Sequence, residues 1–457
     1  MAWLIVRGKS RWTTIIDSLS DIPFIIPTAA LGYSFLLFWS GEEGLSRIFG
    51  GGSIVPPGVL LIMLLHFAFS FPVIVRVMVG ELLNYREVYE VAARTLGAHP
   101  FTAVRTVTLP ILKPAIIASF LLAFARSLSE TGATVMVAGA FENGPVFIHN
   151  AKAAGLEAPM VFVSFILIFL SIFIFFLIKT LAPHIKIPIK RTWPNLEKSL
   201  SSPLSVRVRD TVTLLVFFIF VLIPSMFIIS PLISALTDGT VYRAIGGVGP
   251  WSEFWSSMTL SYTIAVVATL LNALTGLPLA IIIGRRRWGR FTPILDTLIN
   301  IPIVIPSVAL GVSLNIFWTK ILLLPEIWAL ILSHTTITYT YFVRSMSAAI
   351  ESVPPNMEEA ASTLGGKPLT IFRKILFPLT KYSAFSGAIL VFTRSVDETG
   401  AAIAVSTRLK TVPVLLVDWV KGKVPASTSD IALGIGFLIL TSFIILLVFR
   451  LVAKWRR

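Results

Sequence analysis

The chain has 457 residues and no cysteine; 55% of it is hydrophobic, only 13% is charged, and its formal charge is +15. A soluble domain carries roughly 25% charged residues, so this composition leaves too little polar surface for a water-soluble globule and excludes a secreted enzyme, a nucleic-acid binder and a disordered scaffold. The lack of cysteine excludes disulfides, thiolate metal sites and thiol redox chemistry, and the positive charge reads as the Lys/Arg bias of cytoplasmic loops.

From the N-terminus, Met1 to Trp12 is basic but too short to hold a signal peptide's apolar core. Apolar runs near the ~20 residues needed to cross a bilayer predict ten spans. They lie near 20–39, 57–80, 110–128, 160–182, 211–235, 259–283, 297–319, 325–347, 376–395 and 430–453. Loop 183–210 has six basic residues (Lys186, Lys190, Arg191, Lys198, Arg207, Arg209) against two acidic ones, and Arg285-Arg286-Arg287 and the tail Lys454, Arg456, Arg457 are basic too. Ten spans with both termini inside place each of these stretches in the cytoplasm. The Pro/Ser-containing stretch 183–210 reads as a cytoplasmic linker between a first half, 1–182, and a second, 211–457. The expected fold is an all-α integral membrane protein of about ten helices, four before the linker and six after it.

A direct repeat organises the chain. Shifted by 268 residues, Ala92-Ala93-Arg94-Thr95-Leu96-Gly97 meets Ala360-Ala361-Ser362-Thr363-Leu364-Gly365, and Glu130-Thr131-Gly132-Ala133 meets Glu398-Thr399-Gly400-Ala401. His66 falls on His334 and Arg76 on Arg344; a shift of 279 pairs Asp17, Pro23 and Pro27 with Asp296, Pro302 and Pro306. One period crosses the membrane an even number of times, so the halves are parallel repeats about an axis along the membrane normal, with a pathway expected between them. Met1 aligns with Ala280, so the first copy lacks counterparts of the spans near 211–235 and 259–283. A start annotated too late is the favoured explanation, with two further spans expected upstream; a genuine four-span half is the other.

Glu359-Ala360-Ala361, then Gly365, then Leu376-Phe377-Pro378 forms a pattern of Glu-Ala-Ala, three residues, Gly, and a later apolar-x-Pro. Acidic residues favour a helix N-terminal turn, alanines give a thin face, and glycine permits a sharp exit. A thin helix between two spans suits docking into a groove of another protein. This loop resembles the EAA motif of the inner-membrane permeases of binding-protein-dependent ATP-binding-cassette importers, type I fold. The resemblance implies that Glu90, Ala92, Ala93 and Gly97, with Glu359, Ala360, Ala361 and Gly365, couple the chain to two ATP-hydrolysing subunits. One departure is that position 91 is valine, with Glu90 one place early. No phosphate-binding loop is present, since Gly366-Lys367 runs into Pro368. The chain is therefore expected to have no catalytic residues and to bind no metal or cofactor, ATP and Mg²⁺ residing on the partners.

Arg76 and Arg344 sit near the cytoplasmic ends of their spans and are expected to snorkel to the interface. His66 and His334 lie deeper, where a neutral imidazole hydrogen-bonded between helices competes with a pathway role. Arg126/Glu130 and Arg394/Glu398 have i, i+4 spacing if the helix continues, so their charges can meet. Four charges at membrane depth need pairing, shallow placement or a wet path. A gate role and a structural ion pair both remain open for them.

The implied function is the membrane subunit of an ATP-driven importer in a prokaryotic inner membrane, with an external substrate-binding protein as a further partner. Fused two-half permeases resemble the ferric-iron and thiamine importers, which gives the first substrate expectation. The Glu-Thr-Gly-Ala segments are similar to the Glu-Phe-Gly-Ala segment of oxyanion permeases, which makes sulfate, molybdate or tungstate the alternative. An ion-gradient-driven secondary transporter is the reading from a different class, disfavoured by the duplicated loop.

Overall fold

The computed structural model describes residues 1–8, 11–42, 44, 45, 47, 50, 53–181, 184 and 194–454. Of the expected linker, 183 and 185–193 lie outside the described residues. Among the described residues every regular element is helical. The first half runs α1 (Ala2–Arg7), α2 (Arg11–Leu19), α3 (Thr28–Ser40), α4 (Val59–Asn84), α5 (Val88–Thr95), α6 (Leu109–Ser129), α7 (Gly132–Val137), α8 (Gly144–Ala153) and α9 (Glu157–Leu181). After a linker helix, α10 (Pro194–Leu200), come α11 (Pro203–Phe217), α12 (Phe254–Gly284), α13 (Thr292–Ile299), α14 (Ser307–Asn315) and α15 (Glu326–Ser352). The chain closes with α16 (Asn356–Thr363), α17 (Phe377–Val396), α18 (Gly400–Val405), α19 (Val412–Val420) and α20 (Thr428–Lys454).

Among the described residues, seven helices are long and apolar enough to cross a membrane, or nine if two sharply bent pairs each count as one span. The bends correct the straight spans expected at 20–39 and 297–319. Arg11–Phe24 meets Thr28–Ser40 at 103°, and Gly289–Val304 meets Ser307–Ile321 at 106°. Proline causes both. Pro27 and Pro306 supply no N–H, and a residue before proline is pushed out of the helical region. Ile26 (φ −75°, ψ 127°) and Ile305 (φ −81°, ψ 137°) are accordingly extended. The span expected at 325–347 falls in α15, which is 27 residues long but does not count among the seven. Its Ser333, His334, Thr338, Thr340 and Ser347 are all buried. A polar seam of this kind needs partners on neighbouring helices, so α15 is an interior helix. By contrast α9 exposes Phe162, Phe165, Phe169 and Phe173, as expected of a helix bathed in lipid.

The halves interlock. Segment 203–237 begins within the expected linker and runs into the second half, yet it packs on α3 of the first half. Ser34 Oγ donates to the Pro224 carbonyl at 2.6 Å and accepts from Ile228 N–H at 2.9 Å, while Trp39 stacks on Phe220. The stretch Ile229–Thr237 then lies against α20. The sequence boundary near 210 is therefore not a packing boundary.

The repeat also fixes which loops share an end of the bundle. The start of α4 is tied to α7 by Gly58 N–H donating to the Val137 carbonyl at 3.0 Å. The start of α15 is tied to the end of α18, where the Glu326 carboxylate accepts from Ser406 Oγ and Thr407 N–H, both at 2.6 Å. Lys152 of α8 joins the two regions by donating to the carbonyls of Ile403, Ala404 and Ser406 at 2.5–2.8 Å. The far ends of α4 and α15, followed by α5 and α16, thus lie together at the opposite end.

Candidate functional site: two solvent-side helices and an axial crossing

At the α5/α16 end, each short helix closes on a left-handed glycine, Gly97 (φ 90°) and Gly365 (φ 82°). Only glycine adopts this conformation without strain. It lets Ala98 N–H reach back to the Ala93 carbonyl (3.1 Å) and Gly366 N–H to the Ala361 carbonyl (2.9 Å), the six-to-one closure of a Schellman turn. Ala92 and Ala360 are exposed, Ala93 and Ala361 half-buried. Just before each glycine, Leu96 and Leu364 are both 89% exposed.

The glutamates divide by role. Glu90 folds back onto Arg7 (3.1 Å), and Glu358 onto Arg285 (2.8 Å), whose other nitrogen donates to the Val353 carbonyl at 2.9 Å. Glu359 is exposed, as is its counterpart Val91. Glu90 is thus the equivalent of Glu358 and not a displaced copy of Glu359. In each half an arginine at the end of an earlier helix, Arg7 of α1 or Arg285 just after α12, holds the N-terminal turn of the short helix.

A wide π turn follows in both halves, Val104–Thr108 and Phe372–Leu376. Its cause lies in Pro110 and Pro378, which offer no N–H to the carbonyl four residues back and crowd it with the ring.

Near the bundle axis, α6 ends at Ser129 and α17 at Val396, so Glu130 and Glu398 stand just beyond the helices rather than on continuing ones. The ion pairs form nonetheless, Arg126–Glu130 at 2.9 Å and Arg394–Glu398 at 3.0 Å, with both carboxylates buried. Each glutamate also caps the next helix, accepting from Ala133 N–H (3.3 Å) or Ala401 N–H (3.1 Å). A Cβ on Gly132 would lie 2.6 Å from Cβ of Thr399, and one on Gly400 would lie 2.9 Å from Cβ of Thr131. The Thr-Gly steps of the two halves therefore cross in contact. A further tie is unequal between the copies. Asp397 accepts from Thr28 N–H (2.6 Å) and Oγ1 (3.1 Å), whereas its counterpart Ser129 offers only a carbonyl to Ser307 (3.1 Å).

His66 bridges Ser127 (2.8 Å) and Thr134 (2.9 Å). His334 bonds Ser395 at 3.0 Å, but its Nε2 is buried without a partner because Ala402 stands where the first half has Thr134. The arginines expected to snorkel are instead pinned. Arg76 pairs with Asp17 (2.7 Å) and with Asp21, and Arg344 with Asp296 (2.6 Å) and Asn300 (3.0 Å). A carboxylate ten residues before each proline break, Asp17 or Asp296, meets the planar guanidinium fork, so the bent segments are fastened to α4 and α15.

Sequence reasoning missed Leu96 and Leu364, Arg7 and Arg285, and Lys152. The first two pairs carried a signal, since an apolar residue before a solvent-side glycine and an arginine at a helix end both recur in the repeat. Lys152 carried none, because its acceptors are carbonyls. Beside it, His149 Nε2 lies 3.4 Å from Lys423 Nζ, and burial, helped by that ammonium, pushes the imidazole down to about 4.

The family model described as "Binding-protein-dependent transport system inner membrane component" matches residues 1–187 and 276–457. The sulfate transport system permease protein CysT of Salmonella typhimurium is 36% identical over 140 residues, 30% of this chain and 50% of that protein. The molybdenum transport system permease protein ModB of Mycobacterium bovis is 30% identical over 174 residues, 34% of this chain and 66% of that protein, and its Escherichia coli namesake is 31% identical over 169, covering 35% and 70%. The chain thus spans half to about two thirds of the length of the first two relatives. These names fall in the oxyanion group, the alternative substrate expectation, and not with ferric iron or thiamine. Two family matches covering most of the chain, an all-helical membrane fold and a parallel repeat establish that it belongs to the inner-membrane components of binding-protein-dependent transport systems, as a fused two-half permease of the type I importer fold.

Proposed function

We propose that this chain is the permease of an ATP-driven importer for a tetrahedral oxyanion of the sulfate, molybdate and tungstate class. Separate ATPase subunits dock on α5 and α16 at the cytoplasmic end, an external binding protein delivers the substrate to the α8/α18 end, and both termini are cytoplasmic. The carrying observation is the paired, outward-facing Leu96 and Leu364 on glycine-closed helices at one end of the bundle. An isolated exposed leucine is ordinary; two, at equivalent positions of a repeat, present the apolar anchors that a protein groove takes. The names of the relatives support the oxyanion. The Thr131/Gly132–Thr399/Gly400 crossing is the gate, closed in this conformation. Its arginines are neutralised by Glu130, Glu398 and Asp397, so they position the gate, while selection rests with the binding protein.

The test is reconstitution of the permease with its ATPase and binding protein in proteoliposomes. Sulfate, molybdate or tungstate should stimulate ATP hydrolysis and drive uptake. Stimulation by ferric iron or thiamine alone would overturn the substrate, and uptake driven by an ion gradient without ATP would overturn the importer.

A further inference from the structure

The linker helix α10 does more than join the halves. Glu197 is almost fully buried, which an unpaired carboxylate does not tolerate. It accepts from Thr102 Oγ1 at 2.6 Å and pairs with Arg105 at 2.8 Å, and Ser201, one turn on, accepts from Phe101 N–H at 3.1 Å. Arg105 lies inside the π turn between α5 and α6, and Thr102 lies two residues before its start. That turn is where the backbone ladder is weakest, and so where the docking helix and the span can move relative to each other.

The second half repeats the π turn and the same two side chains, Thr370 and Arg373. Both are exposed, whereas Thr102 and Arg105 are half-buried, and no second linker helix stands over them among the described residues. We infer that α10, through Glu197, is an internal brace that stiffens the first coupling hinge and leaves the second free, so that the two ATPase docking surfaces are mechanically unequal. Glu197 is then a positioning residue, acting through Arg105 and Thr102. The first docking helix, which already departs from the motif at Val91, serves as the fixed anchor. The second, with Glu359 outward, carries the larger stroke.

The inference rests on the importer reading for its consequence, but its structural half is tested without it. In the unmodified chain in lipid nanodiscs, amide hydrogen exchange at 100–108 should be roughly tenfold slower than at 368–376, the effect of added charge-assisted hydrogen bonds on local opening. Glu197→Gln should erase that difference, and so in part should Ser201→Ala, which removes the Phe101 contact and the hydroxyl's bond to the Glu197 carbonyl (2.7 Å) but keeps the carboxylate and its ion pair, and so guards against a folding defect. Arg373→Gln should leave exchange at 100–108 unchanged. In the reconstituted complex, Glu197→Gln should lower transport per ATP hydrolysed about threefold at equal assembly, a ratio that simple destabilisation does not move. The exchanged pair Arg105→Glu with Glu197→Arg should restore part of it. Equal exchange at the two turns in the unmodified chain, or exchange insensitive to Glu197→Gln, would overturn the brace. Failure to assemble with any ATPase would overturn the importer reading and leave the exchange result standing.

Discussion

Each buried charge at the axis has a partner, and the arrangement separates two roles that spacing alone left open. Glu130 and Glu398 each accept from one arginine and one backbone N–H. Glutamine keeps the size and the acceptor oxygen but takes the ion-pair partner from the half-buried Arg126 and leaves Arg394 only Asp397 at 3.7 Å, and breaking a buried pair on one side typically costs about 3–5 kcal/mol. If the carboxylates hold the gate, the Glu130→Gln, Glu398→Gln double variant should lose coupled uptake by tenfold or more per assembled complex while ATP hydrolysis persists; normal coupled uptake would remove the gate assignment. A second residue-scale expectation concerns His149. Its pKa lies near 4 in the folded chain against an ordinary 6.5, so between those values the unfolded chain binds the extra proton. Its contribution to stability is complete above about pH 6.5 and is lost as pH falls toward about 4. The thermal midpoint difference between the native chain and His149→Gln should shrink over that window, as read by scanning fluorimetry from pH 7 to 4.5. A difference that does not change with pH would show that the imidazole is not held neutral.

Among the elements, α5 and α16 were the most legible, because their glycine, alanines and apolar-x-proline recur at a fixed shift. Gly97 and Gly365 have positive φ and nothing near the place of a side chain. An alanine there meets no steric clash and suffers only the backbone penalty, about 1 kcal/mol. Gly365→Ala should therefore reduce substrate-stimulated ATPase partially, Gly365→Asn less so because asparagine tolerates the left-handed region, and Gly365→Asp strongly, by adding a charge to the docking surface. The same ranking at Gly97 should be milder, since Val91 already alters that face. Unchanged stimulation in Gly365→Asp would refute docking through α16. The bends at Pro27 and Pro306 were written in the sequence as repeated prolines, yet hydropathy alone draws straight spans through them, because an apolar average is blind to the missing N–H. The partners of Arg76 and Arg344 were hidden for another reason. Asp17 and Asp296 stand on separate segments dozens of residues away, and only the fold brings them within reach.

At the scale of the whole molecule, the repeat fixes pairs of equivalent residues, but the sequence does not tell which of them touch across the axis. The structure selects Gly132 with Thr399 and Gly400 with Thr131, each glycine facing the other half's threonine. Contacts this close leave no room for a methyl group, and a packed interface does not deform to admit one cheaply. Gly132→Ala should therefore prise the halves apart at the axis. The expected signature is a folded complex with raised ATP hydrolysis in the absence of substrate and a leak of small ions through proteoliposomes. The cause is a single contact, so removing the opposing side chain should repair it. The Gly132→Ala, Thr399→Gly double variant is expected to recover tight coupling well beyond the sum of the two single changes, an interaction energy of about 1–3 kcal/mol in a double-mutant cycle. Additive effects in that cycle would mean that the two halves do not meet at these residues when the pathway is shut, and the gate would have to be sought elsewhere along the axis.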